Sequence, residues 1–120
     1  MSTKKRVLVV DDEADIQAVI EALLETDTYE IDTAENGQVA LDKLQREPKP
    51  DIVLLDLMMP EMSGYTLLNE LHSRGLHTNF SIIVMSADVF TKQQMDRMGV
   101  KSFISKPFDI NDLQQVIDTA

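Results

Sequence analysis

The sequence contains no cysteine and no tryptophan, and its basic residues are far fewer than its acidic ones. The absence of cysteine excludes a disulfide framework and thiolate chemistry, and it is compatible with a reducing cytosol. Lysine and arginine number 11 and aspartate and glutamate 21, which gives a net charge of −10. Because binding to nucleic acids or to anionic membranes requires clustered lysine and arginine, we expect no direct contact with either.

Hydrophobic runs in this chain are short. No run approaches the length of a membrane span, and the basic stretch Lys4-Lys5-Arg6 precedes only four apolar residues, too few for the core of a signal peptide. The sequence has no internal repeat, linker or low-complexity segment. We therefore expect a soluble, cytoplasmic protein in which residues 1–120 form one domain with a substantial core.

Apolar patterns predict strands that alternate with helices. Continuous runs and alternation predict five strands, at residues 7–10, 29–34, 52–55, 81–85 and 100–104. Apolar residues at helical spacing follow each strand; the first helix is marked by Ile16, Val19, Ile20, Leu23 and Leu24, and the last by Ile110, Leu113, Val116 and Ile117. The fourth helix, Thr91 to Met98, has the weakest apolar stripe. This alternation predicts an α/β fold, a flavodoxin-like (βα)5 doubly wound parallel sheet with strand order 2-1-3-4-5.

Polar residues stand at the ends of four predicted strands: Asp11 and Asp12 after the first, Asp56 after the third, Ser86 after the fourth and Lys106 after the fifth. In the predicted fold these ends form one edge of the sheet, where ligands bind in such folds. Each residue also has a structural explanation, as a helix cap, a turn residue or a solvated lysine. Because those explanations require four coincidences at one edge, we favour a functional site.

The charges at this edge indicate a reaction. Two carboxylates about 4 Å apart repel each other by roughly 4 kcal/mol at an effective dielectric of about 20, so three need a counter-charge. Hard oxygen ligands suit Mg²⁺, and Lys106 supplies a second positive charge. A carboxylate that faces a divalent cation, a lysine and a hydroxyl group can attack phosphorus and hold an aspartyl phosphate. Asp56 is the best nucleophile because it stands at the end of the central strand, between the acid pair on one side and Ser86 and Lys106 on the other.

The same residues lie in motifs of a known family. Over its whole length the chain resembles the receiver domain of two-component response regulators, in the motifs Val9-Val10-Asp11-Asp12-Glu13, Leu54-Leu55-Asp56-Leu57-Met58-Met59-Pro60, Met85-Ser86-Ala87 and Ser105-Lys106-Pro107-Phe108. The resemblance implies that Asp56 accepts a phosphoryl group from a phosphohistidine on a sensor histidine kinase or a phosphotransfer protein. It also implies a metal site in which Asp12, Asp56 and the backbone carbonyl of Met58 bind Mg²⁺, with Mn²⁺ as an alternative ion, while Asp11 acts mainly through a water.

The resemblance further implies a conformational switch. Ser86 would move to hydrogen-bond the phosphoryl group, Lys106 would pair with it, and Phe103 would swing inward as Ser86 moves. The surface of the fourth helix, fifth strand and fifth helix would change for partner binding, and the Lys106-Pro107 bond is expected to be cis. Ser86 and Phe103 replace the more frequent Thr and Tyr of the family, which leaves open how tightly phosphorylation is coupled to that surface.

Three other functions remain as alternatives. A flavodoxin-like cofactor carrier would need glycines and hydroxyls after the first strand, where this chain has Asp11-Asp12-Glu13, and the chain lacks tryptophan. A hydrolase with an aspartyl nucleophile would need a second acid at Met58, so we expect no enzyme beyond self-phosphorylation and slow dephosphorylation. An adaptor that binds partners without phosphorylation would not need the set Asp12, Asp56, Ser86 and Lys106.

The output of the predicted domain takes one of two forms. The chain ends at its last predicted helix, so we expect either a stand-alone regulator with a downstream protein target or the receiver part of a longer chain with a covalently linked output domain. A domain with a charge of −10 would not contact DNA itself. We expect a monomer, with a dimer through the fourth and fifth helices as an alternative after phosphorylation.

Overall fold

The computed structural model describes residues 5–24, 28–59, 62–87 and 89–120; Lys4 and Pro60, which enter the sequence motifs above, lie outside these ranges. Within the described ranges the chain forms five strands and five helices: β1 (Lys5–Val10), α1 (Ala14–Leu24), β2 (Tyr29–Ala34), α2 (Gly37–Leu44), β3 (Ile52–Asp56), α3 (Gly64–Ser73), β4 (Ser81–Ser86), α4 (Lys92–Met98), β5 (Ser102–Ser105) and α5 (Ile110–Asp118). Among the residues described, no helix is both long and apolar enough to cross a membrane.

The strands form one parallel sheet in the order β2-β1-β3-β4-β5, which confirms the predicted doubly wound fold. Strand β3 is buried at all five of its positions, as its unbroken apolar run predicted. Because alternate residues of a strand point to opposite faces, the sheet has two apolar layers. Leu8 and Val53 pack with residues of α2 and α3 on one face, and Val9 and Leu54 pack with residues of α1 and α5 on the other.

Helix α4 is capped at both ends and buries none of its residues completely. None of its seven residues is buried, in agreement with its weak apolar stripe. At its start Thr91 and Gln94 form a capping box, in which each side chain accepts a hydrogen bond from the backbone of the other. At its end Gly99 has φ of 71°, a left-handed conformation that glycine adopts without strain.

Several strand boundaries differ from the prediction. Strands β3 and β4 each extend one residue further, so that Asp56 and Ser86 are the last residues of their strands rather than the first residues after them. Strand β1 begins two residues earlier, at Lys5, and β5 begins at Ser102 rather than Val100. The N–H of Val100 donates to the carbonyl of Met95 and so completes the end of α4 instead of pairing with the sheet.

Two residues of the predicted apolar stripes are exposed. Val19 in α1 is 50% exposed and Ile110, the first residue of α5, is 56% exposed. Both helices nevertheless bury the centre of their stripes, at Ile20 and Leu24 in α1 and at Leu113 and Ile117 in α5. The apolar pattern therefore predicted correctly which face of each helix points to the sheet, but it assigned to that face residues that are exposed.

Candidate functional site

The buried polar residues of the chain lie together at the carboxyl edge of the sheet. Among the described residues only Asp11, Asp56 and Ser86 are polar or charged and buried. Asp11 follows β1 directly, Asp56 ends β3 and Ser86 ends β4, and Lys106 follows β5 beside them. Burying polar groups is unfavourable unless they are paired. Their concentration at one edge therefore makes that edge the candidate site, and the four strand ends lie together there, as the predicted fold requires.

Asp11 is fully buried and forms hydrogen bonds with residues from three segments of the chain. Its Oδ1 accepts a hydrogen bond from the N–H of Glu13 at 2.9 Å, and its Oδ2 accepts one from Nζ of Lys106 at 3.0 Å. Its own N–H donates to the carbonyl of Ala34, at the end of β2, at 3.1 Å. Both carboxylate oxygens thus have donors, which is what allows a charged group at this depth.

Asp56 lies between a backbone amide and the same lysine. Its Oδ1 accepts a hydrogen bond from the N–H of Met58 at 3.2 Å, and its Oδ2 lies 3.5 Å from Nζ of Lys106. Burial raises the pKa of Asp56, and the charge of Asp11 raises it further, while the Met58 amide and Lys106 oppose this change without cancelling it.

Lys106 is the cation of this site. Burial alone would lower its pKa, but its hydrogen bonds and charge interactions with Asp11 and Asp56 outweigh burial, so the pKa of Lys106 is raised. The lysine therefore stays protonated at neutral pH and offsets part of the charge of two carboxylates.

Three carboxylates converge here in a way that fits a divalent cation. One oxygen each of Asp11, Asp12 and Asp56 lie within 4.8 Å of one another, and Asp12 is exposed while the other two are buried. A compact set of hard oxygen donors with one side open to water suits Mg²⁺ or Mn²⁺. Lys106 forms ion pairs with Asp11 and Asp56, and a single lysine charge leaves the cluster of three acids with an excess of negative charge for an ion.

Three further predicted residues lie around this edge. The backbone of Met58 adjoins Asp56 through the hydrogen bond above, while its side chain is 76% exposed. Ser86 is tied to the lysine segment, because its carbonyl accepts the N–H of Lys106 at 2.8 Å. Phe103 is half-buried and packs edge-to-face on Phe90, with ring centroids 5.8 Å apart. The Lys106-Pro107 bond is cis, as the resemblance implied.

Gln17 joins the site although its sequence position was not singled out. Its side-chain amide donates to the backbone carbonyls of Asp11 and Ala34, at 2.5 Å and 3.3 Å. A signal existed: Gln17 is followed at i+3 and i+7 by Ile20 and Leu24, the two buried residues of α1. A polar residue on the buried face of a helix is informative because it requires a partner there.

This fold and this acidic edge define an α/β domain with a compact cluster of carboxylates at the carboxyl ends of its strands. A family model described as the response regulator receiver domain matches residues 7–118. The chain belongs to this family, whose members are signalling domains of two-component systems.

Individual relatives agree with this assignment. The chemotaxis response regulator CheY4 of Vibrio cholerae is 26% identical, with a TM-score of 0.86 and 98% of both chains covered. The response regulator TrrA of Thermotoga maritima, in complex with Mg(2+)-BeF, is 32% identical, with a TM-score of 0.79; the match covers 96% of this chain and 97% of TrrA.

Two curated relatives are longer than this chain. Regulatory protein AtoC of Escherichia coli (strain K12) is 32% identical over 120 residues, and the match covers 100% of this chain and only 26% of AtoC. The alkaline phosphatase synthesis transcriptional regulatory protein PhoP of Bacillus subtilis (strain 168) is 33% identical over 104 residues, which cover 87% of this chain and 43% of PhoP. The chain thus spans less than half the length of these two curated relatives.

Proposed function

We propose that residues 1–120 are one receiver domain that accepts a phosphoryl group on Asp56 from a phosphohistidine of a sensor histidine kinase or a phosphotransfer protein. The observation that carries the proposal is the position of Asp56, which shares Lys106 with Asp11 and has carboxylates of Asp11 and Asp12 within 4.8 Å. This arrangement puts a nucleophile, a cation and a metal-binding cluster at one point, as phosphoryl transfer requires.

The residues of the acidic cluster would hold Mg²⁺. Asp12 and Asp56 would bind the ion directly together with the backbone carbonyl of Met58, and Asp11 would act mainly through a water. When bound, the ion neutralises charge on the phosphoryl oxygens. The relative TrrA, described in complex with Mg(2+)-BeF, supports a magnesium-dependent site of this kind.

The transfer itself is carried out by side chains of this chain. A carboxylate oxygen of Asp56 attacks phosphorus, a P–O bond forms, and the P–N bond of the phosphohistidine breaks with its electron pair left on the imidazole nitrogen. Lys106, already 3.5 Å from Asp56, pairs with a phosphoryl oxygen, and the hydroxyl of Ser86 donates a hydrogen bond to another. A hydrolase with an aspartyl nucleophile would need a second acid two residues after Asp56, but that residue is Met58, which cannot transfer a proton. Hydrolysis of the aspartyl phosphate is therefore slow, and the phosphorylated state persists as a signal.

The signal would pass to the surface formed by α4, β5 and α5. Ser86 and Phe103 lie on neighbouring strands, and Phe103 packs on Phe90 in the segment between β4 and α4. When Ser86 moves toward the phosphoryl group, Phe103 swings inward, and α4, which has no buried residue, changes position. The changed surface binds a downstream protein or a covalently linked output domain, and a dimer through α4 and α5 is one form of such binding.

A phosphorylation assay tests the proposal directly. The protein is incubated with acetyl phosphate, with and without Mg²⁺, and its intact mass is measured beside the variants Asp56→Asn and Asp42→Asn. Asp42 is an exposed acid of α2 outside the acidic cluster and is the matched control. We expect one added phosphoryl group in wild type and Asp42→Asn, dependent on Mg²⁺, and none in Asp56→Asn. An adduct that survives in Asp56→Asn would refute the assignment of the phosphoacceptor.

A further inference from the structure

Gln17 connects the ends of two strands next to the acidic cluster. It lies in the first half of α1, and its half-buried side chain points to the sheet. One amide nitrogen, Nε2, donates to the carbonyl of Asp11 at 2.5 Å and to the carbonyl of Ala34 at 3.3 Å. Ala34 ends β2 and Asp11 follows β1, so a single side chain joins α1 to both strand ends.

The hydrogen bond from Gln17 to Asp11 completes the set of hydrogen bonds made by Asp11. The carbonyl of Ala34 also accepts the N–H of Asp11 at 3.1 Å, and the carboxylate of Asp11 is bonded to Glu13 and Lys106. The carbonyl of Asp11 is therefore the remaining polar group of this fully buried residue, and Gln17 is its donor. Removing the amide of Gln17 would take this donor away from the buried carbonyl of Asp11. Burying a polar group without a partner is unfavourable.

The carbonyl of Asp11 matters for the residue that follows it. The carbonyl of Asp11 and the N–H of Asp12 belong to one planar peptide group, so fixing the oxygen fixes the plane from which Asp12 continues. The carboxylate of Asp12 is exposed and, within the described part of the chain, has no hydrogen bond or ion pair of its own. Its position is therefore set through its backbone rather than by contacts of its side chain.

We infer that Gln17 is a positioning residue for divalent cation binding: by holding the Asp11-Asp12 peptide group, it keeps the carboxylate of Asp12 within reach of those of Asp11 and Asp56. The inference rests on the proposed function, because it assumes that this cluster binds Mg²⁺. It adds a residue on α1 that touches neither the ion nor the phosphoryl group and acts through the backbone. Groups that orient metal ligands in this way change metal affinity by about 10- to 100-fold when they are removed.

The variant Gln17→Met separates positioning from folding. Methionine keeps the length and the apolar stem of glutamine but has no donor. We expect the dissociation constant for Mg²⁺, measured by titration calorimetry below the unfolding transition, to rise by about 10-fold. At saturating Mg²⁺ we expect phosphorylation of Gln17→Met by acetyl phosphate to approach the wild-type rate, because Asp56, Ser86 and Lys106 are unchanged. The matched control is Gln38→Met at an exposed position of α2, in which Mg²⁺ affinity should not change.

A measurement on the unmodified protein covers the case in which Gln17→Met does not fold. The side-chain amide resonances of Gln17 should shift during a Mg²⁺ titration and give the same dissociation constant as calorimetry, whereas those of Gln38 should stay constant. Wild-type affinity in a folded Gln17→Met, or resonances of Gln17 that do not respond to Mg²⁺, would overturn the inference. A wild-type protein that binds Mg²⁺ with this response but takes up no phosphoryl group would instead contradict the proposed function alone.

Discussion

The ammonium group of Lys106 lies closer to Asp11 than to Asp56, at 3.0 Å from Oδ2 of the first and 3.5 Å from Oδ2 of the second. Its shorter contact is thus with the fully buried acid and not with the proposed phosphoacceptor. The positive charge of the lysine offsets part of the negative charge of the acidic cluster. In the proposed function it would therefore compete with a divalent cation for the same carboxylates and be in place to pair with an incoming phosphoryl group.

The first prediction concerns the charge of Lys106. In Lys106→Met we expect Mg²⁺ to bind more tightly, by about 1 kcal/mol or roughly five-fold, because no ammonium group competes for the carboxylates. We expect phosphorylation by acetyl phosphate to fall, because a phosphoryl oxygen loses its cation. Calorimetry and intact mass measure the two effects, with the exposed Lys101→Met as the matched control. Mg²⁺ affinity equal to wild type would contradict the competition described here.

The second prediction concerns the end of α4. Gly99 has φ of 71°, and a Cβ at this residue would lie 2.6 Å from Nε2 of His72, which is hydrogen-bonded to the carbonyl of Met98 at 2.9 Å. Gly75 also has positive φ, 68°, but a Cβ added there would meet no atom of the described residues within 4 Å. We expect Gly75→Ala to lower the free energy of unfolding by about 1–2 kcal/mol through the backbone alone.

Gly99→Ala should lower the free energy of unfolding by about 1 kcal/mol more than Gly75→Ala does, because it also displaces the hydrogen bond between His72 and the carbonyl of Met98. Urea unfolding of the two variants side by side measures the difference. Equal losses in both would mean that His72 adjusts without cost and that its contact with Met98 adds nothing to stability.

The third prediction concerns pH and Tyr29. Burial, the hydrogen bond from its hydroxyl to Asp118 at 2.6 Å and the charge of Asp118 together raise the pKa of Tyr29 to about 12. A pKa that is higher in the folded than in the unfolded chain adds stability at low pH, so this contribution is complete below pH 10.0, the ordinary value, and is lost as pH rises toward about 12.

In Tyr29→Phe we expect the free energy of unfolding at neutral pH to fall by about 1 kcal/mol, since one hydrogen bond is lost. Above a pH of about 10, the ordinary tyrosine pKa, the free energy of unfolding of Tyr29→Phe should fall less steeply with pH than that of wild type. Urea unfolding at several alkaline pH values measures both effects. Tyr65→Phe, at a residue that is 43% exposed, should follow the wild-type curve. A decline as steep in Tyr29→Phe as in wild type would assign the alkaline instability to other groups.

The fourth prediction concerns the proposed switch. After phosphorylation we expect amide hydrogen exchange to change in α4 but not in α2, a helix on the same face of the sheet that is packed by four buried residues. In Phe103→Ala the phosphoryl group should still be incorporated, because Phe103 is outside the acidic cluster, but the change in α4 should be lost. An exchange response in α4 that is unaffected by Phe103→Ala would exclude the ring from the coupling.

Much of the fold was predictable because apolar runs report burial directly. The run Ile52–Leu55 predicted a central strand, and the structure buries it completely in the middle of the sheet. The convergence of Asp11, Asp56, Ser86 and Lys106 followed from parallel strands alone, since their carboxyl ends share one edge.

What could not be predicted depends on individual backbone contacts. Nothing in the sequence near Val100 reveals that its amide bonds to Met95 and so delays the start of β5. The exposure of Val19 is equally hidden, because helical spacing gives the direction of a face but not the width that the sheet covers. The role of Gln17 needed the three-dimensional positions of two carbonyls that are 23 residues apart in the chain, at Asp11 and Ala34.

The way in which α4 is attached has a practical consequence for protein engineering. Its fold depends on Thr91, Gln94 and Gly99 and on the partial packing of Met95 and Met98, and no other side chain of the helix is needed for the core. The exposed residues Lys92, Gln93, Asp96 and Arg97 are therefore open to exchange with little effect on stability. On the partner surface proposed above, a library restricted to these four positions would sample new specificities on an unchanged scaffold.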